Sequence, residues 1–252
     1  MQKISICDHK GGVGKTSSAV AIAQGLNDRK KPKSKALLID CDPQGTATKS
    51  CYGVTTIHHS LYDVIKGTCK AEEAIISTEA GDIIPYSKQL ANIDIEFNND
   101  PSAYHRIKEG LADLEGYTHI IFDTAPGLTL ATLQALTASD GVVIPIWCSP
   151  DNFDNLKLTY NNIQIIRKYN NPDLKILGVF FTQHTGNSNL MKQFEDLYQD
   201  TCKSYGITLL KTSIRRSITI QESHALAQSL FDYAPRATVT QEYSNLIKEL
   251  KL

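Results

Sequence analysis

The chain has 252 residues, 41% of them hydrophobic, with 26 Lys and Arg against 27 Asp and Glu for a net charge of −1. That is enough apolar material for one sizeable α/β core without disulfides, and too little net charge for the whole molecule to clamp nucleic acid, so DNA binding needs a local patch. The six cysteines (Cys7, Cys41, Cys51, Cys69, Cys148, Cys202) are scattered without C-x-x-C spacing, which suits reduced thiols better than zinc or disulfides. No signal h-region opens the sequence and no apolar run approaches the roughly 18 residues of a membrane span. The expectation is one cytoplasmic domain over residues 1–252, with no N-terminal DNA-binding extension.

Lys3-Ile4-Ser5-Ile6-Cys7 reads as a buried strand, and Ser17 to Leu26 repeats apolar residues at helical spacing. Between them lies Lys10-Gly11-Gly12-Val13-Gly14-Lys15-Thr16. Glycines at a strand-to-helix turn let backbone N–H groups converge on an anion, and the helix dipole favours negative charge there. A lysine at the end of the turn reaches terminal phosphates, and the hydroxyl after it ligates Mg²⁺. The stretch is a P-loop, with Gly11, Gly12, Val13, Gly14, Lys15, Thr16 and Ser17 around the phosphates. Lys10 is the unusual residue, because an ordinary P-loop tolerates almost anything there; by itself it could be one more charge for its own loop.

A basic turn from Asp28 to Lys35 leads into a second buried strand, Ala36 to Asp40, which runs on as Cys41-Asp42-Pro43-Gln44-Gly45-Thr46-Ala47-Thr48. Carboxylates at i and i+2 of an extended segment point the same way, so Asp40 and Asp42 are expected to serve one Mg²⁺-phosphate site exposed by the turn. Ser60 to Ile65 reads as a short helix, Asp82 to Pro85 as a short strand and Ala103 to Leu114 as a helix; the pair His58-His59, without a further Cys/His cluster, reads as a surface loop. Thr118 to Asp123 is an apolar strand ending in an acid, followed by Thr124-Ala125-Pro126-Gly127, the pattern of a Walker B strand. Gly141 to Ile146 and Lys175 to Thr182 read as buried strands separated by a helix from about Asn152 to Tyr169. Ile207 to Leu210 reads as the last strand, and a closing helix lies near Tyr243 to Leu250. Strands alternating with helices predict a doubly wound, mostly parallel sheet flanked by helices, with ligands at the strands' C-terminal ends.

Arriving in this order, the three boxes resemble the deviant Walker A ATPases of the ParA/MinD family, and the likeness spans nearly the whole chain. The resemblance implies ATP and Mg²⁺ as cofactors. It implies that Lys10 reaches across a dimer interface to the partner subunit's nucleotide, that Asp42 positions the attacking water, and that Thr16, Asp40 and Asp123 serve the metal. Thr182, Ile214 and Arg215 lie where the family has its nucleotide-base contacts, upstream of a Y-x-P-R-type stretch at Asp232-Tyr233-Ala234-Pro235-Arg236. Three stretches depart from the family. Asp8-His9 replaces an amide-led pair and puts a carboxylate near the phosphates, the base loop lacks a proline before its arginine, and Cys148-Ser149-Pro150-Asp151 lacks the usual aromatic and acidic residues.

Within the family, the ParA-like function is a weak ATPase that binds DNA non-specifically as an ATP homodimer on the nucleoid. A ParB-like activator releases it, and the cycle segregates a plasmid or chromosome. The alternative is a MinD-like ATPase cycling on a membrane. Such proteins end in an additional basic amphipathic helix, whereas Tyr243, Leu246, Ile247 and Leu250 form a stripe that the core can use, so no stable membrane association is expected. An iron–sulfur carrier needs cysteines after the Walker B strand or a C-x-x-C pair, and none lies between Cys69 and Cys148. A nucleotide-gated scaffold without useful turnover differs only in its kinetics. For DNA, the segment from Lys203 onward holds seven Lys and Arg against four acids, a local +3, while the remainder carries −4. Lys203, Lys211, Arg215, Arg216 and Arg236 are the candidates, although Arg215 and Arg216 also suit the base loop or a helix cap.

Overall fold

In the computed structural model, which describes residues 1–28, 34–147, 153–184 and 189–252, the apolar runs become seven strands. They are β1 (Gln2–Ile6), β2 (Ala36–Asp40), β3 (Ile76–Thr78), β4 (Gly81–Ile84), β5 (His119–Asp123), β6 (Gly141–Trp147) and β7 (Lys175–Thr182). Their order is β3-β4-β2-β5-β1-β6-β7. Every pairing is parallel except β3 with β4, so the doubly wound, mostly parallel sheet expected from the sequence is what forms. The helices are α1 (Lys15–Leu26), α2 (Leu61–Lys66), α3 (Ile93–Glu96), α4 (Arg106–Gly110), α5 (Leu130–Ala138), α6 (Phe153–Tyr169), α7 (Asn189–Ser204), α8 (Ile218–Ala225), α9 (Leu230–Tyr233) and α10 (Thr238–Glu249).

Central strands of a parallel sheet are covered on both faces and therefore read as continuous apolar runs. Successive side chains of β2 go to opposite faces: Leu38 joins the cluster under α1 and α10, and Leu37 and Ile39 join the one under α2, α4 and α5. A third cluster seats Leu156, Ile163 and Ile166 of α6 and Tyr198 of α7 on Ile144 and Val179. Helix α1 lies close to α10 because position 25 is glycine. A Cβ there would stand 2.5 Å from Ile247 Cδ1 and 2.6 Å from Phe231.

Three elements differ from expectation. The helix expected over Ala103 to Leu114 is a 3₁₀ turn at Ala103–His105 followed by α4, which stops at Gly110. That glycine lets the backbone approach α2, since a Cβ would lie 2.7 Å from Val64 Cγ1, but glycine also weakens the helix. The last strand shrinks to a single parallel bridge between Val179 and Leu209. Beyond it the N–H groups of Lys211 and Thr212 donate to the Glu249 carboxylate at 2.8 and 3.0 Å instead of continuing the ladder. The closing helix starts at Thr238, earlier than its apolar stripe suggested, because Val239 is buried as well. The basic residues Arg29 to Lys33, the stretch Cys148 to Asp151 and the expected helix start at Asn152 lie outside the described residues.

Candidate active site

The tight turn after β1 is built by glycines whose backbones other residues rarely adopt. Gly12 and Gly14 have φ of 75° and 85°, and Gly14 is the N-cap of α1. The loop is held from behind. Thr182 Oγ1 donates to Val13 O at 2.7 Å, Gln183 Nε2 donates to Gly12 O at 2.6 Å, and Gly127 N donates to His9 O at 3.0 Å. Above the sheet opens a cleft of about 360 Å³. The sequence-predicted Gly12, Gly14, Lys15, Thr16, Ser17, Asp42, Thr182, Ile214 and Arg215 all line it. Gly11 and Lys10 flank its mouth in the same loop, with Gly11 exposed and Lys10 partly so, while Val13 is buried beneath it.

Lys15 is only 6% exposed, and its Nζ donates to Lys10 O at 2.6 Å. Burial pushes its pKa down, and the carboxylate of Asp8 pushes it back up. The two carboxylates of the second box part company. Asp42 lines the cleft and accepts from Gln44 N at 2.9 Å. Asp40, fully buried, turns away to accept from Asp42 N at 3.2 Å, from Thr48 N at 2.9 Å and from Thr48 Oγ1 at 2.6 Å. The expectation that both face the cleft is corrected here, because the chain leaves the extended conformation at Asp42 and the new turn needs an acceptor. Asp40 braces the turn that presents Asp42.

Register sets Asp123 beside both neighbours, since Ile6 and Asp40 each pair with it. Asp123 is fully buried, and neither of its carboxylate oxygens has a hydrogen-bond partner in the protein. The Thr16 hydroxyl and the Lys15 charge both lie near enough to act on it. An orphaned buried carboxylate next to a hydroxyl at a helix N-terminus has the donor set of a hydrated Mg²⁺ site. Burial drives both acids upward, Asp40 to about 6 and Asp123 well above the usual carboxylate range, and the charge of Asp40 adds to the rise at Asp123.

A carboxyl whose folded pKa exceeds its unfolded value lends stability that is complete below about pH 4 and disappears as pH rises through the folded pKa. The melting temperature of the nucleotide-free protein is therefore expected to fall from about pH 5 to pH 7.5 by more than that of Asp123→Asn, which should melt higher at pH 7.5. Parallel melting curves for the two proteins across this window, measured by differential scanning calorimetry, count against the strained pair.

Sequence reasoning missed Gln183, which follows Thr182 with a left-handed φ of 52°, and Tyr243, whose place in an apolar stripe hid its position on the cleft wall. The DNA candidates are spread out. Leu209 bridges Val179 and Arg215 bridges His184, both parallel, so the segment climbs beside β7. Lys203, near the C-terminus of α7, lies at the opposite end of that climb from Arg215. All five candidates are exposed; Arg215 pairs with Glu242 through Nε at 2.7 Å, and Arg216 also lines the cleft.

Known proteins resemble this chain over nearly its whole length. A family model described as an AAA domain matches residues 1–176. The sporulation initiation inhibitor protein Soj of Bacillus subtilis is 34% identical over 252 residues, covering 98% of this chain and 97% of Soj. The chromosome partitioning protein ParA of Caulobacter vibrioides is 28% identical over 256 residues, covering 99% and 94%. Among solved structures, a putative plasmid partition protein from Borrelia burgdorferi bound to AMPPNP superposes with a TM-score of 0.80 at 24% identity, covering 99% and 98% of the two chains. With a likeness that runs from end to end and takes in the strand, loop and helix that build the cleft, the chain belongs to the ParA/Soj/MinD family of partition ATPases.

Proposed function

We propose that this protein is a Mg²⁺-dependent ATPase whose ATP-bound homodimer binds DNA without sequence preference, and that with a ParB-like activator it segregates a plasmid or chromosome in the cytoplasm, on the nucleoid. The observation that carries the reading is the convergence of Lys15, Thr16 and Asp42 in one cleft directly above the orphaned Asp123. Bound Mg²⁺ would withdraw charge from the γ-phosphate, held by the Thr16 hydroxyl and, through water, by Asp123. Phosphoryl transfer then needs mostly positioning and charge stabilisation. Asp42, the carboxylate on the cleft wall, accepts a hydrogen bond from the attacking water and orients it. Lys15 supplies positive charge from within its subunit, and Lys10 supplies it to the partner subunit's nucleotide. Thr182, Ile214 and Arg215 form the wall against the base.

No helix among the described residues is long and apolar enough to cross a membrane, and the apolar face of α10 is taken up by the core through Val239, Tyr243, Leu246 and Ile247. The closing helix α10 is therefore not free to lie on a membrane. Co-sedimentation with DNA and with liposomes, each with and without ATP, tests the choice. Pelleting with DNA only when ATP is present is the expected result, and ATP-dependent pelleting with liposomes alone overturns it.

A dimer presents each subunit's bases twice, which lets ATP switch affinity without base contacts. With about three phosphate contacts per subunit, the slope of log affinity against log salt is expected near −5, a loss of about a thousandfold between 50 and 200 mM salt. Arg216→Ala, which removes one exposed charge from each subunit, should flatten the slope by about 2 and weaken binding to all sequences alike. Fluorescence anisotropy at several salt concentrations checks this, and an unchanged slope removes Arg216 from the interface.

A further inference from the structure

The proposed mechanism leaves one buried carboxylate at the start of the loop without a role. Asp8, the first residue of the departure noted before Lys10, is 1% exposed. Its Oδ1 accepts from Thr159 Oγ1 of α6 at 2.7 Å, and the same Thr159 oxygen accepts from His9 N at 3.1 Å. The backbone N–H groups of His9 and Lys10 also turn toward its carboxylate. Of the carboxylates around Lys15, Asp8 acts on it most strongly, ahead of Asp123 and Asp42. A buried acid is held in the charged form only by such support. Here burial is the largest influence and raises the pKa of Asp8 above its ordinary value, while Thr159, the Lys15 ammonium and two backbone donors offset part of that rise.

Nothing in the fold requires an acid at this position. Thr159 could hold an asparagine as well, because an amide oxygen accepts the same hydrogen bonds. What asparagine cannot supply is the negative charge. In the nucleotide-free chain the nearly buried Lys15 ammonium has Lys10 O as a neutral acceptor and Asp8 as its strongest counter-charge. The phosphates that Lys15 is placed to meet carry the same sign as Asp8, and they arrive where this carboxylate is already fixed.

We propose that Asp8, clamped by Thr159, is a resident counter-charge that occupies Lys15 electrostatically in the empty site and lowers affinity for ATP more than for ADP. The inference deepens the nucleotide reading above and rests on it. Because the added γ-phosphate brings further negative charge to the end of the cleft that Lys15 serves, repulsion from Asp8 grows with phosphate number. The residue is a positioning and specificity-setting group. It touches the backbone of Lys10 and acts on nucleotide through Lys15.

The test is isothermal titration calorimetry of the full chain with Mg-AMPPNP and with Mg-ADP. Asp8→Asn keeps the acceptor for Thr159 and removes only the charge. It is expected to bind AMPPNP about tenfold more tightly and ADP no more than about threefold more tightly, shifting the ratio of the two affinities toward the triphosphate. Asp8→Ser, a second neutral variant, must shift the ratio in the same direction even if it is less stable. A merely structural role for Asp8 moves both affinities together and leaves the ratio as it is in the wild type. An unchanged ratio, or weaker AMPPNP binding in both variants while the wild type binds nucleotide normally, overturns the counter-charge. A wild type that binds neither nucleotide overturns the nucleotide reading itself, so the two failures are told apart by the wild-type titration alone.

Discussion

Lys15→Ala is expected to lose at least about a hundredfold in affinity for ATP and, with it, dimerisation and DNA binding. A hydrogen bond to a charged group contributes about 1.5–3 kcal/mol and is stronger when both partners are ionised and shielded from water, which is the setting of a side chain 6% exposed at the floor of the cleft. Its ammonium is directed along the loop by Lys10 O at 2.6 Å, so reaching a phosphate takes only a change of acceptor. Burial disfavours the charged lysine in the empty site, and a polyanion would return what burial takes away. Because the side chain is nearly buried, a thermal melt of the variant separates a specific loss of nucleotide binding from a loss of fold. Titration with a fluorescent ATP analogue measures it, and unchanged affinity refutes the role.

The second large effect separates two residues of the same site. Asp42→Ala should bind ATP and dimerise but turn over about a hundredfold to ten-thousandfold more slowly, because a group that orients the attacking water acts on the transition state rather than on the bound nucleotide. The protein should accumulate as a trapped dimer. Lys10→Ala should bind ATP and remain monomeric. The structure sharpens the contrast: Asp42 lines the cleft through its side chain, while Lys10 presents to its own cleft only the carbonyl that holds Lys15, leaving its side chain free for a partner. Size-exclusion chromatography with light scattering in the presence of Mg-ATP reads both variants. An Asp42→Ala protein that stays monomeric with ATP, or a Lys10→Ala protein that dimerises as the wild type does, sinks the assignment.

What the sequence made legible was whatever depends on neighbours along the chain. The strand, glycine loop and helix from Gln2 to Leu26 obey local rules, so the P-loop and its glycines could be read directly. The parallel sheet follows from alternating elements, and Asp123 from its place as the third box in the order of the family that the chain resembles. Contacts between distant segments were not legible. The different fates of Asp40 and Asp42 depend on Thr48, eight residues beyond Asp40, whose hydroxyl both donates to Asp40 and accepts from Tyr86 N at 3.1 Å. The clamp on Asp8 comes from Thr159, and no spacing rule connects the two. The expected strand from Ile207 to Leu210 goes no further than one bridge for the same reason, because just past it a carboxylate from α10 takes the N–H groups of Lys211 and Thr212. The net positive charge from Lys203 onward is legible in the sequence, but the parallel climb beside β7 strings those charges out rather than gathering them.

The Glu249 carboxylate sits in the last turn of the last helix, yet it holds the two N–H groups that lead into the segment carrying Ile214 and Arg215. Helix ends fray first, through local openings that cost far less than global unfolding. The amide protons of Lys211 and Thr212 should therefore exchange with solvent at the rate at which the final turn of α10 opens, although they lie some forty residues away in sequence. That makes the end of the chain a tether for the wall of the cleft: a fusion that disturbs the final turn would loosen the grip on nucleotide without touching a residue that contacts it.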